Sequence, residues 1–466
     1  GGWNEELRLE YNRLYRELSN LVSKYKKKCE GKKISPDEIM NIIPDKTVFL
    51  DYLFSPDRKK LYIFCVKKGA VKSYITDFQY DKYEKIITLT KMFSLEDDKN
   101  PYGFPLPKQA YNKKKYRWEY IETSESYLLR QKKHEEEVKK LTRDLYHVLI
   151  KPLEEELVGI ETLIISPDGF LNLLPFEILV KEENYLIDEY KGICYIPSGR
   201  MLVKLSQKGK TEPHDSIVVF APFTEPVTEE EKRYAKLYAQ KSEAKYFVGS
   251  PSVKEFTLQS LSEIATRSEE ILKATKIVVE NIKKEYPKAK VYSAEKATEK
   301  NVLMNIKNKG TVIFATHGYA DYDNPLNSAL VLRDEEGNPT LFTTREVMTL
   351  DLNKTGLVML TACETGRGKI TGGEGVLGLT RGFFQAGAKA VLSTLWKVED
   401  NSTADFQMEF LKRYIKGETP FSALTAAKQK VRTAKIVIED ETTNTKYEVL
   451  CSHPFFWAPF VLYGLP

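Results

Sequence analysis

Thr311-Val-Ile-Phe-Ala-Thr-His317-Gly318 and Gly356-Leu-Val-Met-Leu-Thr-Ala-Cys363-Glu364-Thr365-Gly366 are the two stretches on which the reading of this chain turns. Each is an apolar run that reads as a buried strand, and each ends in one chemically competent side chain followed by a small or turn-forming residue. One strand delivers an imidazole and the next a thiol. In an open parallel sheet, ligands and chemistry gather outside the carboxyl ends of the strands. The pair therefore reads as a candidate catalytic dyad, His317 and Cys363.

Working outward, strands alternate with helices on both sides of these motifs. Ser216-Ile-Val-Val-Phe-Ala-Pro222 and Lys290-Val-Tyr292 read as strands before them, and Ala329-Leu-Val-Leu332, Ala390-Val-Leu-Ser-Thr-Leu-Trp396 and Phe460-Val-Leu-Tyr463 after or between them. Helical patterns fall near 298–306, from Thr344, and over 376–385, 402–415 and 420–433. This alternation predicts an α/β fold with a mostly parallel sheet covered on both faces. The upstream part reads differently. Thr47–Phe54, Leu61–Val66 and Val71–Ile75 are separated by turns only, which predicts an antiparallel meander. A long helix from Glu125 to Leu149 and a strand from Thr162 follow. The expected divisions are 1–42, an N-terminal helical segment; 43–213, a scaffold subdomain; and 214–466, the catalytic subdomain. In the first, Leu7, Tyr11, Leu14, Leu18, Leu21 and Tyr25 recur at spacings of four and three, one apolar stripe that must pack against something.

Composition excludes several function classes. With 466 residues, 42% hydrophobic and 29% charged, the chain is an ordinary globular sequence. No apolar stretch approaches the roughly 20 residues that span a bilayer, so no membrane association is expected. The five cysteines are sparse and lack C-x-x-C spacing, which argues against a disulfide framework or a zinc site and for a reducing, cytoplasmic setting. Cys451 and His453 form a C-x-H pair without two further ligands, so no metal and no cofactor are expected. A net charge of +5 is mild. The basic-aromatic run Tyr111-Asn-Lys-Lys-Lys-Tyr-Arg-Trp118 could touch phosphates, but reads better as a lysine-protected strand edge. Direct nucleic-acid binding by this chain alone is not expected.

Other polar residues read as structural. Asp168 lies in Pro-Asp-Gly, which is turn chemistry first, and Ser198 has no partner arrangement to activate it. His134 and His147 lie on the long helix and are given no role. In the dyad, an imidazole beside the thiol raises the thiolate fraction and can protonate the leaving amine. The backbone N–H groups of Gly318 and Cys363 are the candidate oxyanion hole. No third residue that would orient the imidazole is evident. The upstream-His, downstream-Cys order, with a gap near the roughly 50 residues of caspases, fits the same reading.

The motifs as a series carry a resemblance. Ala-Thr-His317-Gly318, Pro325-Leu-Asn-Ser-Ala-Leu-Val-Leu332, Thr361-Ala-Cys363-Glu-Thr-Gly366, Gly373-Glu-Gly-Val376, Gly382-Phe-Phe-Gln-Ala-Gly-Ala388, Leu395-Trp396-Lys-Val-Glu-Asp400 and Pro454-Phe-Phe-Trp-Ala-Pro459 resemble the CHAT family, caspase-like peptidases related to separase. Ile165-Ser-Pro-Asp-Gly169, Leu174-Pro-Phe-Glu177 and Tyr195-Ile-Pro-Ser198 resemble the region upstream of its catalytic part. The resemblance runs from about Ile43 to the end. It implies a caspase-like α/β fold and a cysteine endopeptidase with His317 and Cys363 as the dyad. It also implies a protein substrate and control by helical repeats that sense a regulatory protein or an RNA–protein complex, in settings that include prokaryotic antiviral defence. A catalytically silent CHAT-like binding module is the alternative, against which the intact His317 and Cys363 stand.

Separase-like relatives prefer a basic residue before the cut, paired with an acid near the Leu-Trp motif; Asp400, with Glu399 beside it, stands at that place. Against this, Asp-Asn-Ser is good capping chemistry for a helix beginning near Ser402. The loop 365–375, with five glycines, is costly to order. It is expected to be mobile at rest and ordered by substrate or partner. With Arg367 and Lys369 it is also a candidate self-cleavage site. Two stretches depart from the family pattern, 225–254 and 435–452.

Overall fold

The computed structural model describes residues 34–93, 103–112, 117–120, 122–224, 275–319, 325–361, 374–396, 400–440 and 445–466, with 109–112, 117–120, 319, 374–377, 400–402 and 440 by backbone alone. Eleven strands form one sheet: β1 Thr47–Phe54, β2 Lys60–Lys67, β3 Ala70–Asp77, β4 Thr162–Ser166, β5 Gly192–Tyr195, β6 Ile217–Ala221, β7 Lys290–Ser293, β8 Thr311–Phe314, β9 Leu357–Leu360, β10 Ala390–Thr394 and β11 Phe460–Gly464. Their spatial order is β7-β6-β8-β9-β10-β11-β5-β4-β1-β2-β3. The α/β class expected from the alternation is the one observed, as is the antiparallel β1-β2-β3 meander.

Strand sense divides the sheet into two parallel blocks. β7, β6, β8, β9 and β10 pair in parallel. β11 then runs antiparallel to β10 but parallel to β5, and β5, β4 and β1 continue in that sense. The two blocks therefore point their carboxyl ends at opposite rims of the sheet. Strands from residues 34–213 all lie on one side of the β11–β5 junction and the remaining ones on the other. β6, β8, β9, β10 and β11 are buried at every position, as strands covered on both faces must be.

Six helices carry most of the covering: α1 Pro36–Met40, α2 Tyr80–Met92, α3 Ser124–Leu149, α4 Glu374–Ala386, α5 Asp400–Ile415 and α6 Pro420–Thr433. Their starts follow capping chemistry. Ser35 and Glu38 close a capping box on α1, Thr123 accepts from Ser126 N–H at α3, and Thr419 accepts from Ser422 N–H at α6 with Pro420 at the first helical position. The described part of α5 already includes Asp400, so Asp400 is helical and not a cap of a helix that begins near Ser402.

The blocks are locked together across the β11–β5 junction. Phe421 of α6 lies directly on the β5 backbone, and a Cβ at Gly192 would sit 1.9 Å from its ring, so only glycine fits there. Glu177, on the short 3-10 turn Phe176–Ile178, accepts from Lys428 Nζ of α6 at 2.6 Å, with both side chains 2% exposed or less. Tyr195 of β5 also donates its hydroxyl to Glu177 while accepting from Phe176 N–H. The Leu174-Pro-Phe-Glu177 motif is thus a buried charge network that joins the halves.

The stretch 435–452, read from sequence only as an unexplained lengthening, contains a β-hairpin, Lys435–Asp440 with Thr445–Leu450. Tyr447 and Val449 bury one face of it against α3, where Gln131 bonds the Glu448 carbonyl and the Leu450 N–H. The basic-aromatic run forms another hairpin, Gln109–Asn112 with Arg117–Tyr120. Among the described residues, no helix is long and apolar enough to cross a membrane. The Leu7–Tyr25 stripe, the 225–254 stretch and loop residues 365–373 lie outside the described residues.

Candidate functional site

β8 holds His317 at the carboxyl rim of the first block. The strand is anchored at its start by the Thr311 hydroxyl on the His214 carbonyl, 2.7 Å. It lies in register with β9, Phe314 opposite Leu360, and Thr361 donates its N–H and its hydroxyl to the Phe314 carbonyl at 3.0 and 3.1 Å. Cys363 follows Leu360 along the chain by the same step as His317 follows Phe314. Cys363 and Glu399 themselves lie outside the described residues, as does the Asp400 side chain.

Past Phe314 the chain leaves the main sheet and enters a small one of Gly318–Tyr319, Ala329–Arg333 and Pro339–Thr343. The Thr316 hydroxyl donates to the Val331 carbonyl, and Val331 N–H donates to the His317 carbonyl at 2.9 Å. That second bond makes Gly318 and Leu330 a non-hydrogen-bonded antiparallel pair, which turns the Gly318 N–H away from its partner strand. The His317 side chain is 4% exposed. Its ring meets Phe223 edge-on, centroids 5.2 Å apart and planes at 66°. The Arg333 guanidinium also lies against Phe223, 5.3 Å from the ring centroid. It is itself held by Nε on the Pro222 carbonyl at 3.1 Å and Nη1 on the Gly337 carbonyl at 2.7 Å. Sequence reasoning found no orienting group for the imidazole. Phe223, from the β6 exit, now stands beside it, with Arg333 of the Ala329–Arg333 strand against Phe223, and no spacing rule links those three positions.

The residues set aside as structural have structural partners. Asp168 accepts the Phe54 N–H at 2.9 Å. Ser198 caps the helix Gly199–Ser206 through Met201 N–H. Burial pushes the Cys65 thiol up to about 11, and the fully buried Cys194 is raised still further; both are poor thiolates. His134 has a role that the sequence did not disclose. Its Nδ1 lies 2.9 Å from His453 Nε2, and His453 Nδ1 accepts the Phe455 N–H at 3.0 Å. Both nitrogens of His453 are thus engaged, so it has none to offer a metal. Among the described residues no group of three or more His, Cys, Asp or Glu is placed to hold one. Burial first, then the neighbouring His134 and Lys139, holds His453 well below its ordinary range, so it is neutral.

The Leu395-Trp396 and Pro454–Pro459 motifs meet. Leu395 N–H donates to the Pro459 carbonyl and Trp396 Nε1 to the Phe455 carbonyl, both at 2.9 Å. Trp396 also stacks on Phe93, 4.4 Å between centroids. These contacts fix the end of β10, beyond which residues 397–399 and Asp400 follow.

A family model, the CHAT domain, matches residues 139–465. The chain belongs to the CHAT domain family. The match begins after the β1-β2-β3 meander. Tetratricopeptide repeat protein 28 of Homo sapiens is 32% identical over 124 residues, 27% of this chain and 4% of that protein. The Mus musculus protein of the same name is 30% identical over the same length. The chain thus spans about 4% of the length of these curated relatives. Among solved structures, the Saccharomyces cerevisiae separase–securin complex is similar over 92% of this chain and 31% of that one, at 11% identity and a TM-score of 0.46. Gingipain R, an Arg-specific cysteine proteinase, is similar over 71% of this chain and 67% of its own, at 11% identity and a TM-score of 0.35.

Proposed function

We propose that this CHAT protein is a cysteine endopeptidase that cleaves a protein substrate through His317 and Cys363. The observation that carries the reading is the buried His317 at the end of β8, in register with β9, the strand that leads along the chain to Cys363. The imidazole takes the thiol proton of Cys363 and the thiolate adds to the scissile carbonyl. The developing oxyanion is met by the N–H groups of Gly318 and Cys363. The C–N bond breaks as His317 returns the proton to the leaving amine, and water then hydrolyses the thioester. The direction of the Gly318 N–H, away from Leu330, supports its part in this. Asp400, with Glu399, is assigned to a pocket for a basic residue before the cut. A regulatory protein or RNA–protein complex is the assigned activator, in the cytoplasm and in a defence setting; the repeat-protein names of the curated relatives accord with a repeat-borne sensor.

The test has two arms. New N-termini are mapped in a lysate treated with the protein and with its Cys363→Ala variant; cuts made only by the former, after Arg or Lys, are expected. In parallel, the rate of Cys363 carbamidomethylation by iodoacetamide is compared with that in His317→Ala. An activating imidazole gives a rate at least about tenfold higher in the unmodified protein. Equal alkylation rates, together with no cut that depends on Cys363, would sink the dyad and leave a silent binding module.

A further inference from the structure

Ile313, Met359 and Leu392 lie side by side on β8, β9 and β10. Four residues on from each stand His317, Cys363 and Trp396. The chain thus sends an indole to the rim of the proposed dyad, and β9, which leads to Cys363, lies between the strands that lead to the other two. Trp396 is held in two ways. Its Nε1 donates to the Phe455 carbonyl at 2.9 Å, which fixes the edge of the indole. Phe93 stacks on it with centroids 4.4 Å and planes 6° apart, which fixes its plane. Both constraints trace to one upstream stretch. Phe93 ends α2, its N–H donating to the Leu89 carbonyl at 3.0 Å. Phe104 stacks on Phe455, 4.5 Å between centroids, and so seats the carbonyl that Trp396 uses. Phe93 and Phe104 are buried, whereas Trp396 keeps part of its surface open. α2 is itself fastened to the upstream half: Tyr83 meets Phe170 edge-on, and Lys85 pairs with Asp144 of α3. Both aromatics precede residue 139, where the CHAT match starts.

We propose that Phe93 is a positioning residue for substrate selection: by holding the Trp396 ring flat, it sets the surface against which the side chain before the cut lies. The inference rests on the reading of His317 and Cys363 as the dyad. What remains open of the indole offers a basic side chain a π surface for its charge and an apolar one for its stem. A small side chain gains neither. An indole free to turn about its side-chain torsions would have to be ordered by the substrate, which lowers affinity. The stack on Phe93 removes that cost before substrate arrives. Phe104 acts one step further back, through Phe455. The substrate side of the catalytic half is therefore finished by the end of α2, a part of the chain that the family match does not include.

Alkylation of Cys363 in the full chain tests this without requiring turnover. Iodoacetamide reports on the thiol alone, whereas a peptidyl-arginyl chloromethyl ketone must also seat its arginine. Selectivity is the ratio of the arginyl reagent's rate to that of its alanyl counterpart. Phe93→Leu keeps apolar bulk but loses the flat ring. It should lower that ratio at least about fivefold, with the iodoacetamide rate within about twofold of the unmodified protein. Phe93→Tyr, which keeps the ring, should restore the ratio. Leu89→Ala loosens the same helix one turn earlier and should leave it within about twofold. In protein carrying 5-fluorotryptophan, the Trp396 resonance, assigned by Trp396→Phe, should move in Phe93→Leu and stay in place in Leu89→Ala. A ratio unchanged in Phe93→Leu, or lowered equally by Leu89→Ala, overturns the positioning role, while an iodoacetamide rate that still depends on His317 keeps the dyad. A rate independent of His317 overturns the dyad and this inference with it. An unmodified protein with no preference for the arginyl reagent also overturns the inference.

Discussion

Ser166-Pro167-Asp168-Gly169 and Ala315-Thr316-His317-Gly318 are written in one grammar: a buried strand, then a polar side chain, then glycine. They sit at the carboxyl ends of β4 and β8, in blocks of opposite sense, and so on opposite rims of the sheet. At the first, the side chain is consumed by the fold. Asp168 holds the Phe54 N–H, and Phe170 packs against Phe54, Phe78 and Tyr83 with centroids 4.7, 5.7 and 4.8 Å away. At the second, the backbone of His317 is held by Val331, while its ring meets Phe223 edge-on and Arg333 lies against that same Phe223. The lesson is that a strand-end motif becomes a candidate site by what surrounds it. At the first rim three aromatic rings pack around Phe170; at the second the contact to Phe223 is made by the His317 ring itself.

The comparison depends on the two blocks being one body, and the largest effect expected is at their lock. Lys428→Met leaves the Glu177 carboxylate buried with Tyr195 alone, and removing one partner of a buried pair costs about 3–5 kcal/mol. Replacing both, Lys428→Met with Glu177→Leu, should recover most of that loss, because no charge is then stranded. Urea unfolding midpoints of the three proteins measure it. A single substitution costing under about 1 kcal/mol would mean that the blocks are joined by apolar packing, and the charge network is incidental.

A smaller effect separates the halves by pH. His453 docks the C-terminal part of the chain on α3 of the other half through His134, and it is neutral because burial depresses its pKa. Above about pH 6.5 neither folded nor unfolded chain protonates it, and its stabilising contacts are intact. Below that, the unfolded chain binds a proton that the folded one refuses. Stability therefore falls as pH drops, by about 1.4 kcal/mol per unit, until the depressed folded pKa is reached. His453→Asn keeps an acceptor for Phe455 N–H and removes the titration. Between pH 7.5 and 5.5 its stability should decline by about 1 kcal/mol less than that of the unmodified protein. Equal declines would place the acid sensitivity elsewhere.

How much of this was legible in sequence follows from how local each signal is. The strands around His317 and the long helix α3 announced themselves through periodicity, and the meander through its short turns, whereas α2, Tyr80–Met92, was not read from the sequence. His317 was found because a strand end and a turn residue are adjacent in the chain. The Glu177–Lys428 pair, the His134–His453 contact and the Phe223–Arg333 platform were not, because each joins residues remote in sequence whose types carry no spacing rule. The hairpin 435–450 escaped for a different reason. Its first strand, Ile436-Val437-Ile438, shows no polar alternation, and the partner that buries its other strand is α3, far upstream.

The finest test of the comparison exchanges like for like at the two rims. Phe223→Leu keeps an apolar side chain but removes the flat edge contact on His317 and the surface under Arg333. If the ring positions the imidazole, turnover with a cleavable substrate should fall about tenfold with KM little changed, since a misdirected catalytic group loses rate before binding. Phe170→Leu makes the same change in the filled rim. It should lower stability by about 1 kcal/mol or more, as core trimming does, and leave turnover within about twofold. The pair of variants distinguishes positioning from general loosening. If Phe170→Leu slows turnover as much as Phe223→Leu, the two rims are mechanically equivalent and the platform has no special relation to His317. If only Phe223→Leu does, one aromatic ring separates a strand end that serves the fold from one that serves chemistry.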